Sequence, residues 1–154
     1  MPEGNAELIE RFYAAFARHD GDAMAACYAP DAHFSDPVFT DLRDGEPGDM
    51  WRMLTARAED LTIDLEDHDS TTAHWIAHYT FAQTGRKVRN DVRASFRFGD
   101  DGLIAEHTDD FDFYAWARQA LGPPGLLFGW TPMIKGSVRK RARAQLDAFR
   151  ARGA

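Results

Sequence analysis

Hydrophobic positions fall at helical spacing in the first third of this chain and alternate through its middle. Between residues 5 and 18, Leu8, Ile9, Phe12, Tyr13 and Phe16 recur three and four apart, one apolar stripe of a helix. His19-Asp20-Gly21-Asp22 predicts the stop of that helix and the cap of a second, 22–28. Ala29-Pro30-Asp31 reads as a turn, 32–36 as a short extended piece closed by Asp36-Pro37, and 41–48 as a polar loop. A third helix, about 48–59, carries Met50, Trp51, Met53 and Leu54. Four alternating segments follow, about 61–67, 72–83, 88–98 and 103–113. Thr84-Gly85-Arg86 and Gly99-Asp100-Asp101-Gly102 between them are hairpin signals. A short helical piece at 115–121 is broken by Gly122-Pro123-Pro124-Gly125, and 126–134 is apolar without a clean period. A last helix over 137–150 puts Val138, Ala142, Leu146 and Phe149 on one stripe. Helices first and hairpin-linked strands after predict an α+β domain whose antiparallel sheet curls around the helices.

The alternation in 103–113 carries the chemistry. On one face lie Leu103, Ala105, His107, Asp109, Phe111 and Phe113; the other face is mostly acidic and belongs in water. Burying an unpaired carboxylate costs several kcal/mol. His107 and Asp109 on an apolar face therefore imply a satisfied couple or a pocket. On the preceding strands Tyr79 and Asn90 fall on inward faces, where they can hydrogen-bond a ligand oxygen, beside the apolar Trp75 and Phe96.

Composition narrows the classes. The 154 residues, 44% of them hydrophobic, suffice for one domain with a real core, and the four Trp, four Tyr and eleven Phe suit an aromatic-walled cavity. Cys27 is the only cysteine, so no intrachain disulfide can form. No leader pattern and no apolar run near ~18 residues is present, which predicts a cytoplasmic protein. The net charge of −7 is uneven: from Lys135 onward seven Lys/Arg face one acid, Asp147, so a +6 tail follows a −13 body. An acidic body argues against nucleic acid as the main partner. The tail alone could suggest DNA or an anionic membrane, and the simpler expectation is that it docks on the acidic body or on a second subunit. His74 and His78 would share a helix face, but on a strand they stand ~13 Å apart and outward, so no metal site is expected.

Two helices, then Phe34-Ser35-Asp36-Pro37-Val38, a third helix and four strands resemble the nuclear transport factor 2-like superfamily over about residues 5–113. Thr84-Gly85-Arg86-Lys87 before a strand ending Phe96-Arg97-Phe98 strengthens the likeness, in particular to SnoaL-like polyketide cyclases and ketosteroid isomerase-like proteins. The resemblance implies a cone: N-terminal helices packed in a strongly curved antiparallel sheet around a pocket. Residues 1–121 would form the cone, and 122–154 a lid segment and basic helix, a C-terminal helical extension of the same domain. Asp36 stands where ketosteroid isomerases hold their base, a carboxylate whose pKa is raised by desolvation. That enzyme's enolate donors fall on Phe12 and Ala94, which cannot donate. Asp109 falls where SnoaL-like cyclases carry their acid/base aspartate. Their histidine on the preceding strand has no counterpart in 88–98, and His107 supplies an imidazole from Asp109's own strand. Limonene epoxide hydrolases use an Asp–Arg–Asp group; Asp91 and Arg93 have the right types but point outward unless a bulge turns them in.

These readings predict a pocket for a small apolar molecule and a cofactor-independent isomerase, cyclase or hydrolase working by proton transfer. Asp109 would be the main acid/base, His107 its partner and Asp36 a second carboxylate. Asn90, Tyr79, Trp75, Phe12, Trp51, Phe111 and Trp130 would bind ligand, with 128–132 as a lid or an apolar strap. The alternative is a non-catalytic hydrophobic-ligand binder or dimerisation module of the same fold, and the polar outer sheet face would suit a homodimer.

Overall fold

The computed structural model describes residues 5–153. Two helices, α1 (Asn5–Ala17) and α2 (Gly21–Ala25), lead into β1 (Tyr28–Ser35) and α3 (Glu46–Arg57). Four strands follow, β2 (Thr62–His68), β3 (Thr72–Phe81), β4 (Arg86–Phe98) and β5 (Ile104–Asp110), then α4 (Phe113–Leu121), α5 (Pro123–Phe128) and α6 (Pro132–Ala151). The predicted apolar stripe of α1 is buried, and Asp20 caps α2 by accepting from the Ala23 N–H.

The sheet has the order β1-β5-β4-β3-β2 and curls without closing. Its pairs are antiparallel except at one edge, where β1 lies parallel to β5. The turn expected at 29–31 is not formed. Ala29-Pro30-Asp31 runs inside β1, and the register slips between Tyr28 and His33. An edge strand tolerates Pro30, because its missing N–H need not serve an inner ladder. A second slip bears on the site. Arg97 pairs with Glu106 but Phe98 pairs with Ile104, which leaves Ala105 as an extra residue. This bulge turns Ile104 into the core in place of Leu103 and Ala105, correcting the strict alternation. Beyond it, His107 and Asp109 keep their inward face.

The segment without a clean period, 126–134, is helical: it ends α5 and begins α6. Gly125 makes that path possible, since a Cβ there would fall 1.9 Å from the Ala117 carbonyl oxygen of α4. α6 then returns over the body and buries Ala142 and Leu146 in the main core. The basic tail docks as its charge predicts. Arg143 bonds Glu46, Arg150 bonds Asp49, and Arg139 donates to the Pro37 carbonyl oxygen. Among the described residues no helix is long and apolar enough to cross a membrane.

Candidate functional site

A cavity of about 330 Å³ lies between the concave sheet face, α3 and α6. Its size is at the low end for small-ligand sites. Its walls are mainly aromatic and aliphatic, with Trp51, Trp75, Phe111 and Trp116 prominent. The polar groups on them are few: Asp36, Asp109, Asn90 and Tyr79 inside, and Gln83, Ser137, Arg141 and Gln145 from β3's end and α6.

Asp109 reaches the cavity at the end of a buried hydrogen-bonded chain. Trp51 Nε1–H donates to the Tyr28 hydroxyl (2.8 Å), which meets His107 Nδ1 (2.7 Å), and His107 Nε2 meets Asp109 Oδ1 (2.7 Å). Indole N–H only donates, so the Tyr28 oxygen accepts from it. The arrangement in which Tyr28 O–H donates to Nδ1 and Nε2–H donates to Asp109 Oδ1 uses each donor of the chain once. The ring of His107, fully buried, is packed by Phe12, Phe34, Trp51 and Phe96, which fixes its orientation. Asp109 is 4% exposed, and its Oδ2 has no hydrogen-bond partner among the described residues.

Asp36 follows β1 and is both turn and wall. Its Oδ1 accepts from the backbone N–H groups of Val38 (2.7 Å) and Phe39 (2.6 Å), leaving Oδ2 uncommitted. Burial pushes its pKa up, the Phe39 N–H opposes, and the Asp109 charge adds to the rise; the net is a pKa raised to about 7. Tyr79 is raised too, by burial against the Trp116 hydrogen bond, so its phenol stays neutral. Its oxygen accepts from Trp116 Nε1–H (2.8 Å), which leaves its own proton free to donate elsewhere. Asn90 pairs in the ladder with Ala77, which is two residues from Tyr79 on the same face, and its side chain makes no hydrogen bond among the described residues.

The structure therefore brings Asp36, Asp109, Asn90, Tyr79, Trp75, Trp51 and Phe111 to one cavity, with His107 directly behind Asp109. It does not bring Phe12 or Trp130 there. Phe12 is core, 0% exposed, behind the His107 ring. Trp130 is 72% exposed, its indole bonded to the Leu127 carbonyl oxygen. The cover over the cavity is α6 from Ile134 onward rather than 128–132. Asp91 and Arg93 stay on the outer face, since β3 and β4 pair without a slip from Thr72 to Phe81, and Asp91 bonds His74. Sequence reasoning missed Tyr28, Trp116 and Arg141. Tyr28 sits at the end of a run read as helix, and only the parallel β1–β5 pairing carries it to His107. Two further polar groups, Tyr13 Oη and Trp75 Nε1, are buried without a partner among the described residues, each at a cost of about 1–3 kcal/mol.

Solved structures share this fold. A protein of Catenulispora acidiphila DSM 44928 with a ketosteroid isomerase-like fold, in complex with trimethylamine, matches at TM-score 0.64 and 17% identity, over 82% of this chain and 98% of that one. TsrD from Streptomyces laurentii matches at 0.62 and 25%, over 75% and 92%. An LEH-like epoxide hydrolase of M. tuberculosis matches at 0.61 and 21%, over 80% and 92%. Curated proteins give no match. The family model of the SnoaL-like domain matches residues 9–107, and the chain belongs to that family.

Proposed function

We propose that this chain is an enzyme moving a proton at a carbon next to a carbonyl, in an isomerisation, cyclisation or related hydrolysis of a small apolar substrate. The observation that carries the reading is a pair of cavity carboxylates whose surroundings set them apart. Asp109 is tied through Oδ1 to the buried Tyr28–His107 chain, and burial raises Asp36 to about 7. Carboxyl groups tuned apart in this way divide base and acid between them. Asp109 Oδ2 takes the proton and becomes the neutral acid, and the negative charge it gives up passes to the substrate oxygen as the enolate. Asp36, protonated on Oδ2, faces the substrate oxygen with Tyr79 O–H and Asn90 N–H as further donors. Such proton transfer requires neither metal nor redox cofactor.

The test is protein-dependent hydrogen–deuterium exchange at the α-carbon of a panel of cyclic and aromatic ketones in D2O, followed by NMR. Asp109→Asn is expected to slow exchange by about 100-fold or more while changing ketone affinity by less than about 3-fold. Exchange that survives Asp109→Asn removes Asp109 from the acid/base role. The second reading, a binding protein, is favoured by the buried His107, both of whose ring nitrogens are hydrogen-bonded within the core. Ketones that bind without exchange would establish it.

A further inference from the structure

α6 presents two stripes to the cavity, each with a four-residue repeat: apolar Ile134, Val138 and Ala142, and polar Ser137, Arg141 and Gln145. The arginines of this helix divide in a way that fastening alone does not explain. Arg139, Arg143 and Arg150 each bond the body, at the Pro37 carbonyl, Glu46 and Asp49. Arg141 lies on the cavity wall, and among the described residues no acid or carbonyl takes its guanidinium. It is the one cation among the cavity's lining residues, and the two carboxyl groups there, Asp36 and Asp109, stand inside. The gradient is thus negative within and positive at the exposed rim. An uncharged apolar ligand gains nothing from it. A ligand with one anionic end gains at the rim and is repelled from the interior, which orients it.

We propose that Arg141, flanked by Ser137 and Gln145, is a recognition site for an anionic group, and that the ligand is an apolar carbonyl compound carrying a carboxylate at its outer end. The inference rests on the cavity being a ligand site, and its test reads affinity rather than turnover. The probes are 2-naphthoate and 2-naphthamide, alike in shape and different in charge, titrated calorimetrically at low salt. Naphthoate is expected to bind about 5-fold or more tightly than naphthamide, a preference that shrinks as salt is raised. Arg141→Gln abolishes the preference by weakening naphthoate alone, and Arg141→Lys keeps part of it, since Lys offers charge without the planar fork. Arg141 is exposed, so the fold is untouched by either change. Equal affinity for the two probes, a preference that survives Arg141→Gln, or binding of neither probe overturns the inference. Loss of α-carbon exchange activity leaves this result unaffected, so failure of the enzymatic reading and failure of the anion site are separate outcomes.

Discussion

At Asp36 two opposing influences meet on one carboxyl group. Backbone donors to Oδ1 favour the anion; burial and the neighbouring Asp109 charge favour the acid, and burial wins. The sign of the resulting pH dependence is fixed. The folded-state pKa of about 7 lies above the ordinary 3.8, so between them the folded state binds more protons than the unfolded. Stability from this group is full below 3.8, falls as pH rises through about 7, and is flat above. Asp36→Asn keeps an acceptor for Val38 and Phe39 and cannot ionise. It is expected to be the more stable protein at pH 8, by on the order of 2–4 kcal/mol, with a flatter profile in urea unfolding between pH 5 and pH 8. Parallel profiles for the two proteins would place Asp36 in solvent. The same residue shows what a sequence can reveal. His107 and Asp109 stood out because polar groups interrupted an apolar alternation, a purely local signal. Tyr28, which is hydrogen-bonded to His107, gave none, since its place depends on a pairing 79 residues away. Phe12 carries the right chemistry for a wall, but one further layer of packing puts it behind one.

Elements were more legible than contacts. The helical stripe of α1 and the alternation of β2 to β4 appear in the structure nearly as the pattern predicts, because each buries one face against one core. Two local signals misled. Pro30 reads as turn chemistry yet is tolerated at a sheet edge, and the Ala105 bulge breaks a period of two that no turn residue announces. For α6 the buried stripe was visible, and its attachment was not. Glu46 explains the attachment: 8% exposed, it takes the guanidinium groups of Arg143 and Arg150 and the backbone N–H of Arg43. Burial pulls its pKa up, but the Arg143 hydrogen bond, the Arg43 N–H and the two arginine charges outweigh it and hold the group below its ordinary range. A depressed carboxyl contributes stability above its unfolded pKa and loses it as pH falls, so this fastening releases in acid. Glu46→Gln keeps the backbone bond and removes the charge. It is expected to cost about 1–3 kcal/mol and to speed amide hydrogen exchange in α6 ahead of α1. Unchanged α6 exchange would show that Leu146 packing alone seats the helix.

Over the whole molecule, charge and packing make the same statement about residues 122–154. The +6 tail lies on the −13 body through Arg139, Arg143 and Arg150, and its Leu146, 0% exposed, sits in the same core as Phe12 and Trp51. A segment that closes the cavity and completes the core cannot unfold alone without exposing both. We therefore expect the extension to be part of one cooperative unit. Leu146→Ala should cost about 2–4 kcal/mol, a large share of the 5–15 kcal/mol typical of a domain. Because the loss falls on the shared core, far-UV circular dichroism and tryptophan fluorescence should shift to lower urea together, with one midpoint. If α6 were an appendage, helix signal would be lost first and the fluorescence of Trp51 and Trp75, on the cavity wall beneath it, would keep its original midpoint. The cavity would then exist without its cover, and a ligand site closed by α6 would have no structural basis.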